Sequence, residues 1–375
     1  MSFETLNLDG ALLRAVQACG FSEPTDIQRQ AIPPILAGRD LMASAQTGTG
    51  KTAAFVLPAL QRLLKPAIKP GRGPRVLVLT PTRELATQVA ESVAAFSRFQ
   101  RLRSGSVVGG VPYPPQMRLL DQPLDLLVAT PGRLMDHMER GRVDFSRLEM
   151  LVLDEADRML DMGFVDAVRT IATATPTQRQ TLLFSATLEG RVLDIAQELL
   201  RDPIAVRLAA ARDRHAKIEQ RIHQADDLEH KERLLGHWLE QDELTQALIF
   251  TATKREADRL ARLLSQQGHS AAALHGDMDQ RSRDRIVERM HRRRLRLLVA
   301  TDVASRGLDI KGLSHVFNYD LPLAAEDYIH RIGRTGRAGA AGIAVSFVGP
   351  TDWGRLAGIE RLTGAKLVRE VIPGL

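Results

Sequence analysis

The sequence predicts an α/β protein built as two parallel-sheet domains in tandem, and three observations predict it. Short apolar runs rich in Val, Leu and Ile alternate with helical stretches along most of the chain. That is the pattern of a parallel sheet covered by helices on both faces. The run from Leu208 to Lys217 breaks the rhythm with small and charged residues and no β pattern. A glycine-rich turn between a strand and a helix occurs in the first half alone. The domains are therefore placed at 1–208 and 218–375, with 209–217 as a flexible linker.

In the first domain strands are expected at Asp40–Ser44, Arg75–Leu79, Ser104–Val108, Asp125–Ala129, Met150–Leu153, Gln180–Phe184 and Ile204–Arg207. Helical patterns cover Ala53–Leu64, Thr82–Phe99 and Arg191–Leu200. In the second, strands are expected at Gln220–Gln224, Gln246–Thr251, Ala271–Leu274, Arg296–Ala300, Ser314–Phe317 and Gly342–Phe347. Helices fit at Glu229–Glu240, Lys254–Gln267, Asp279–His291 and Ala325–Ile332.

The 375 residues are 44% hydrophobic and 26% charged, ordinary for a globular protein with proper cores. Cys19 is the single cysteine, which excludes an intramolecular disulfide or a cysteine-built zinc site. No apolar run approaches the length that spans a bilayer, and Met1–Gly10 lacks a signal-peptide pattern. A soluble, cytoplasmic protein with no membrane partner is expected. The net charge of +6 favours a polyanion such as nucleic acid without requiring one.

Ala45-Gln46-Thr47-Gly48-Thr49-Gly50-Lys51-Thr52 joins the first strand to a helix. Glycines let the backbone wrap an anion with N–H groups turned inward, and the helix start adds its dipole. Lys51 is placed to reach the outer phosphates of a nucleotide and Thr52 to hold a magnesium ion. The general pattern has Gly where this chain has Ala45. Further on, the apolar strand Met150–Leu153 ends in Asp154-Glu155-Ala156-Asp157. An acid at the carboxyl end of a strand, in the domain of a phosphate loop, suits a magnesium ligand, here Asp154. Its neighbour Glu155 suits a general base that deprotonates water. The plain alternative is an acidic turn that caps the next helix.

Asp154–Asp157 spells DEAD, and the sequence resembles the DEAD-box ATP-dependent RNA helicases of superfamily 2 over nearly its whole length. The resemblance implies two RecA-like domains, with ATP and magnesium as cofactors and RNA, single-stranded or short duplex, as partner. Gly20–Gln28, with the upstream Phe3, is similar to the family's adenine-recognition segment. It implies that Gln28 reads the adenine and Phe21 packs on it; without it, Phe21 would be core and Gln28 surface. The family accepts Ala at the position of Ala45. The resemblance carries the nucleotide contacts onto Gln46, Thr47, Gly48, Thr49, Gly50, Lys51 and Thr52. Ser185-Ala186-Thr187 resembles the segment whose Ser185 and Thr187 hydroxyls bond the last Asp, here Asp157, and couple hydrolysis to domain closure.

The family's RNA-gripping segments are matched by Pro81-Thr82-Arg83, Gly109-Gly110 and Thr130-Pro131-Gly132-Arg133. These imply RNA contacts by Pro81, Arg83, Gly110, Thr130, Gly132 and Arg133; taken singly, each is also a capped helix start or turn. In the second domain the matches imply RNA contacts by Thr251, Gly276, Arg283 and Thr301. Gly307 and Asp309 are implied at the ATP ribose, and His330 in coupling. Arg334 and Arg337 are implied as arginine fingers on the γ-phosphate. His275 and His330 lack the spacing of partners for a metal site. Arg281–Arg296 holds eight arginines and two acids, an extended RNA surface or a solvated helix face. The short termini resemble the bacterial RhlE-like branch, which implies work in ribosome assembly or RNA turnover; a monomer is expected.

Overall fold

A computed structural model describes residues 2–45, 49–208, 218–305, 310, 312–336, 342–364 and 366–375. The chain divides into two compact units, Met1–Leu208 and Ala209–Leu375. The segment 209–217 lies outside the described residues.

In the first unit the strands are β1 (Leu41–Ser44), β2 (Val76–Leu79), β3 (Ser104–Val107), β4 (Leu126–Ala129), β5 (Met150–Leu153), β6 (Gln180–Ser185) and β7 (Ile204–Arg207). The helices are α1 (Gly10–Ala18), α2 (Asp26–Leu36), α3 (Lys51–Leu63), α4 (Arg83–Phe96), α5 (Tyr113–Leu120), α6 (Pro131–Glu139), α7 (Ala156–Asp161), α8 (Val165–Thr173) and α9 (Gly190–Leu199). All pairings are parallel, in the order β3-β4-β2-β5-β6-β1-β7. Every residue of β2, β4 and β5 is buried, so both faces of the sheet are covered. One core holds Leu12, Ile27, Phe55 and Val89 from α1–α4; the other holds Leu134, Met159, Val168 and Ile195 from α6–α9. Continuous apolar strands and amphipathic helices produce this layering, because each strand has two faces to bury.

The second unit holds β8 (Ile218–Gln224), α10 (Leu228–Leu239), β9 (Ala247–Phe250), α11 (Lys254–Gln266), β10 (Ala271–Leu274), α12 (Gln280–His291), β11 (Leu297–Ala300) and α13 (Asp302–Ser305). It continues with β12 (His315–Asn318), α14 (Ala325–Ile332), β13 (Gly342–Val348), α15 (Trp353–Thr363) and β14 (Val368–Arg369). Its order is β10-β11-β9-β12-β13-β8-β14, again parallel throughout. Strand for strand, this is the order of the first unit. The strand β14 is absent from the sequence expectation. It is two exposed residues long and forms only by pairing with Arg221 and Ile222 of β8, so it has no local pattern to read.

The chain after α15 is held by a polar seam inside the second unit. Trp238 Nε1 donates to His223 Nε2 at 3.0 Å. The indole can only donate, so His223 carries its proton on Nδ1 and donates it to the Glu370 carbonyl at 2.9 Å. Burial lowers the His223 pKa, which keeps the ring in this neutral form.

Candidate active site

The turn after β1 enters α3 through Gly50, whose φ is +93°. A Cβ there would lie 2.5 Å from Gln28 Nε2, so both the backbone and the neighbour require glycine. Gln28 Nε2 donates to the Gly50 carbonyl at 3.1 Å, and Gln28 Oε1 accepts from Thr25 N–H at 2.9 Å. These bonds bury Gln28 to 3% exposure and tie it to the phosphate loop. Phe21, by contrast, is 47% exposed, with its ring 6.0 Å from that of Phe96. The plain sequence reading had these two the other way round. Its polarity rule ignores that the amide is turned inward by its bonds to the Thr25 N–H and the Gly50 carbonyl.

Lys51 is the first residue of α3 and is 6% exposed. Its Nζ is buried and has no hydrogen-bond partner among the described residues. An ammonium buried without a partner is costly, and the start of a helix favours an anion beside it. The site therefore suits phosphates. Thr49 is buried and Thr52 half-buried next to it, while Gln46, Thr47 and Gly48 lie outside the described residues.

Asp154 stands at the end of β5 and donates its backbone N–H to the Leu79 carbonyl at 2.9 Å. Burial pushes its carboxyl up to about 7; Lys51 pulls it back, and Glu155 and Asp157 add to the push. Glu155 has φ 51° and ψ 54°, the left-handed region, which costs a non-glycine residue roughly 1–2 kcal/mol. It occupies the cap position of α7 without making a side-chain cap bond, which argues against the capping alternative. Its Oε2 lies 3.4 Å from Arg158 Nε, and both side chains are buried. Arg158 was missed in the sequence. The pairing depends on α7 starting at Ala156, so that residues three apart share a face.

Asp157 Oδ2 accepts from the Ala186 N–H at 3.0 Å. Among the described residues, the contact with Ser185-Ala186-Thr187 is thus made by the backbone and not by either hydroxyl. Ser185 is fully buried at the end of β6, and its Oγ accepts from Thr187 N–H at 3.3 Å.

Three further segments meet at the carboxyl ends of β2, β3 and β4, which are neighbours in the sheet. Pro81 follows β2, and Thr82 caps α4 by accepting from Leu85 N–H at 3.3 Å. Arg83 Nη1 donates to the Gly109 carbonyl at 2.9 Å. Gly110 has φ +69°, and a Cβ on it would come within 1.6 Å of Arg83 Nη1. The glycine pair is therefore the seat of the arginine. Thr130 Oγ1 accepts from Gly109 N–H at 3.4 Å, and exposed Gly132 lies in the first turn of α6. Arg133 Nη1 donates to the Val111 carbonyl at 2.7 Å, with its guanidinium 4.2 Å from the Tyr113 ring.

The second unit repeats this wiring. Thr80 Oγ1 donates to the Thr82 carbonyl at 3.2 Å, and Thr251 Oγ1 to the Thr253 carbonyl at 3.3 Å. Thr253 then caps α11 as Thr82 caps α4. Thr251, Gly276 and Thr301 follow β9, β10 and β11, three adjacent strands. Arg283 is buried and donates to the Ala304 carbonyl at 3.3 Å. Arg331, also missed in the sequence, is bound by both Asp302 oxygens at 2.6 and 2.7 Å and by Asn318 at 3.1 Å. Arg334 is buried one turn on, its N–H donating to the Arg331 carbonyl at 3.0 Å. His330 Nδ1 lies 3.9 Å from Asp327 Oδ1. Gly307, Asp309 and Arg337 lie outside the described residues.

Comparison with known proteins bears on this arrangement. The DEAD/DEAH box helicase family matches residues 25–195, and the helicase conserved C-terminal domain matches residues 229–339. The chain is 46% identical over 375 residues to the ATP-dependent RNA helicase SrmB of Haemophilus influenzae, covering all of this chain and 85% of the relative. It is 45% identical to SrmB of Escherichia coli, covering 84% of that protein. Among solved structures it is similar to S. cerevisiae Dbp5 bound to RNA and ADP BeF3, with a TM-score of 0.86 and 33% identity, covering 98% of this chain and 95% of that one. The repeated parallel sheets, the phosphate loop and these matches together place the chain in the DEAD-box family of ATP-dependent RNA helicases.

Proposed function

We propose that this helicase uses RNA-stimulated ATP hydrolysis to close its two domains on a single strand, and so opens short RNA duplexes with little sequence preference. The observation that carries the proposal is the buried ammonium of Lys51 at the start of α3, which has no hydrogen-bond partner among the described residues and lies in the electrostatic field of buried Asp154. Lys51 receives the outer phosphates, with the backbone N–H groups of the loop and of the helix start. Gln28 and Phe21 take the adenine; Gln28 exchanges its bonds to Thr25 and Gly50 for the base, so ATP binding reaches the loop. Asp154 sits among further carboxylates, an environment that suits a cation. Thr52 and Asp154 would hold magnesium, which supplies charge neutralisation at the phosphates. Glu155 takes the proton of the attacking water. Arg334 and Arg337 stabilise the charge that develops on the γ-phosphate, with Gly307 and Asp309 at the ribose. Asp157, Ser185, Thr187 and His330 pass the state of the nucleotide to the closure.

RNA is gripped along its backbone by Pro81, Arg83, Gly110, Thr130, Gly132 and Arg133 in one domain, and by Thr251, Gly276, Arg283 and Thr301 in the other. Hydroxyls, helix starts and arginines hold phosphates without reading bases. Both ligands favour the closed state, so each raises the affinity of the other. The protein acts as a monomer in the cytoplasm, on RNA of ribosome assembly or turnover. No helix among the described residues is long and apolar enough to cross a membrane.

The test is ATP hydrolysis with RNA, with DNA and with neither, paired with separation of a short RNA duplex and with Lys51→Ala as control. RNA alone should stimulate turnover, and strand separation should require ATP. Equal stimulation by DNA, or hydrolysis without strand separation, would count against the proposal. A second expectation follows from the seat of Arg83. Gly110→Ala forces a strained φ and displaces the guanidinium, so RNA affinity should fall roughly tenfold, the equivalent of about 1.4 kcal/mol. ATP affinity without RNA should not change. Titration of labelled RNA and of labelled ATP checks both, and unchanged RNA affinity removes Arg83 from the grip.

A further inference from the structure

The helix α12 carries a charge pattern that the site described above does not use. Its buried side sends Arg283 to the Ala304 carbonyl. Its outer side presents Arg281, Arg285 and Arg289, all exposed. Residues four apart lie on one side of a helix, about 6 Å further along at each step. Exposed Arg292, Arg293 and Arg294 continue the stripe past the end of the helix. The two acids in this stretch are already engaged. Asp284 accepts from Gln280 Nε2 at 2.7 Å, and Glu288 pairs with Arg292 at 2.5 Å. Arg281, Arg285, Arg289, Arg293 and Arg294 have no side-chain partner among the described residues.

A solvated helix face gains most by alternating acids and bases. On α11, Arg259 pairs with Glu256 of the same helix and with Glu232 of α10, and Lys254 with Asp277 beyond β10. On α12 like charges stand four apart, which costs a helix about 0.2–0.5 kcal/mol per pair. Every base in the stripe is arginine rather than lysine, and the planar guanidinium fork matches phosphate oxygens in pairs. The stripe lies on the same helix as Arg283 but on its opposite, outer side, so it offers phosphate partners to a stretch of the strand other than the one at Arg283.

We propose that the outer arginines of α12 form a secondary RNA-backbone site that anchors the strand beyond the part held by the clamp. The proposal rests on the RNA grip argued above. It adds affinity for long RNA without entering the ATP site, and it reads no sequence.

The experiment uses the full chain with Arg281, Arg285 and Arg289 all changed to Gln, and in a second variant all changed to Lys. Affinity is measured against salt for a short oligouridylate of about ten nucleotides and a long one of about forty. For the long RNA, the Gln variant should bind ten- to a hundredfold more weakly at low salt, and the slope of log affinity against log salt should drop by about two. The short RNA and the turnover at saturating short RNA should be unchanged. The Lys variant should keep most of the salt slope. An unchanged slope for the long RNA would overturn the site, as would equal weakening of the short RNA. Failure of RNA to stimulate the unmodified chain would remove the clamp reading and this one together. Stimulation retained alongside an unchanged slope removes this one alone.

Discussion

Glu155→Gln is expected to lower ATP turnover by about two to four orders of magnitude, the range for loss of a positioned general base. ATP and RNA should still bind, because the amide keeps the shape of the carboxylate and loses only its ability to take a proton. The variant should therefore accumulate as a long-lived complex with ATP and RNA. Its geometry supports the choice of residue. Glu155 stands in the left-handed region at the carboxyl end of β5, a position that a non-glycine residue holds only when its surroundings enforce it. Buried Arg158, 3.4 Å away, gives the carboxylate an ionic partner where water cannot solvate it. Single-turnover hydrolysis beside dissociation of labelled RNA checks the expectation. Near-normal turnover would take the base role away from Glu155.

Arg334→Ala is expected to cut turnover by roughly three to five orders of magnitude, the worth of an arginine that meets charge developing on a transferring phosphoryl group. ATP affinity should change little, because the charge to be met appears in the transition state. Arg334→Lys should not restore the rate, since an ammonium cannot offer the paired donors of the guanidinium fork. Arg334 is buried, and its backbone is tied to Arg331, whose own guanidinium is bound by Asp302 and Asn318. This anchoring fixes where the Arg334 side chain begins. Comparison of turnover with binding of a non-hydrolysable ATP analogue separates the outcomes. Equal losses in both would assign Arg334 to ground-state binding.

The sequence by itself determined the features whose cause is local. Strands buried on both faces need apolar residues at every position, so β2, β4 and β5 were readable from the chain. The glycine-rich turn before Lys51 and the acids after Leu153 are also short-range patterns, and they carried the nucleotide chemistry and the family resemblance. The tertiary structure decided what depends on residues far apart in the chain. The shared strand order of the two units is a property of pairing, not of any segment. Gln28 is buried because Gly50 lies 22 residues later and receives its amide. Arg83 needs Gly110 because the guanidinium rests where a Cβ would stand. Asp157 reaches its partner segment through the backbone of Ala186, which β5 and β6 bring together by lying side by side. The apolar pattern chooses which elements form. The sheet order chooses which of their ends meet, and the site is built from those ends.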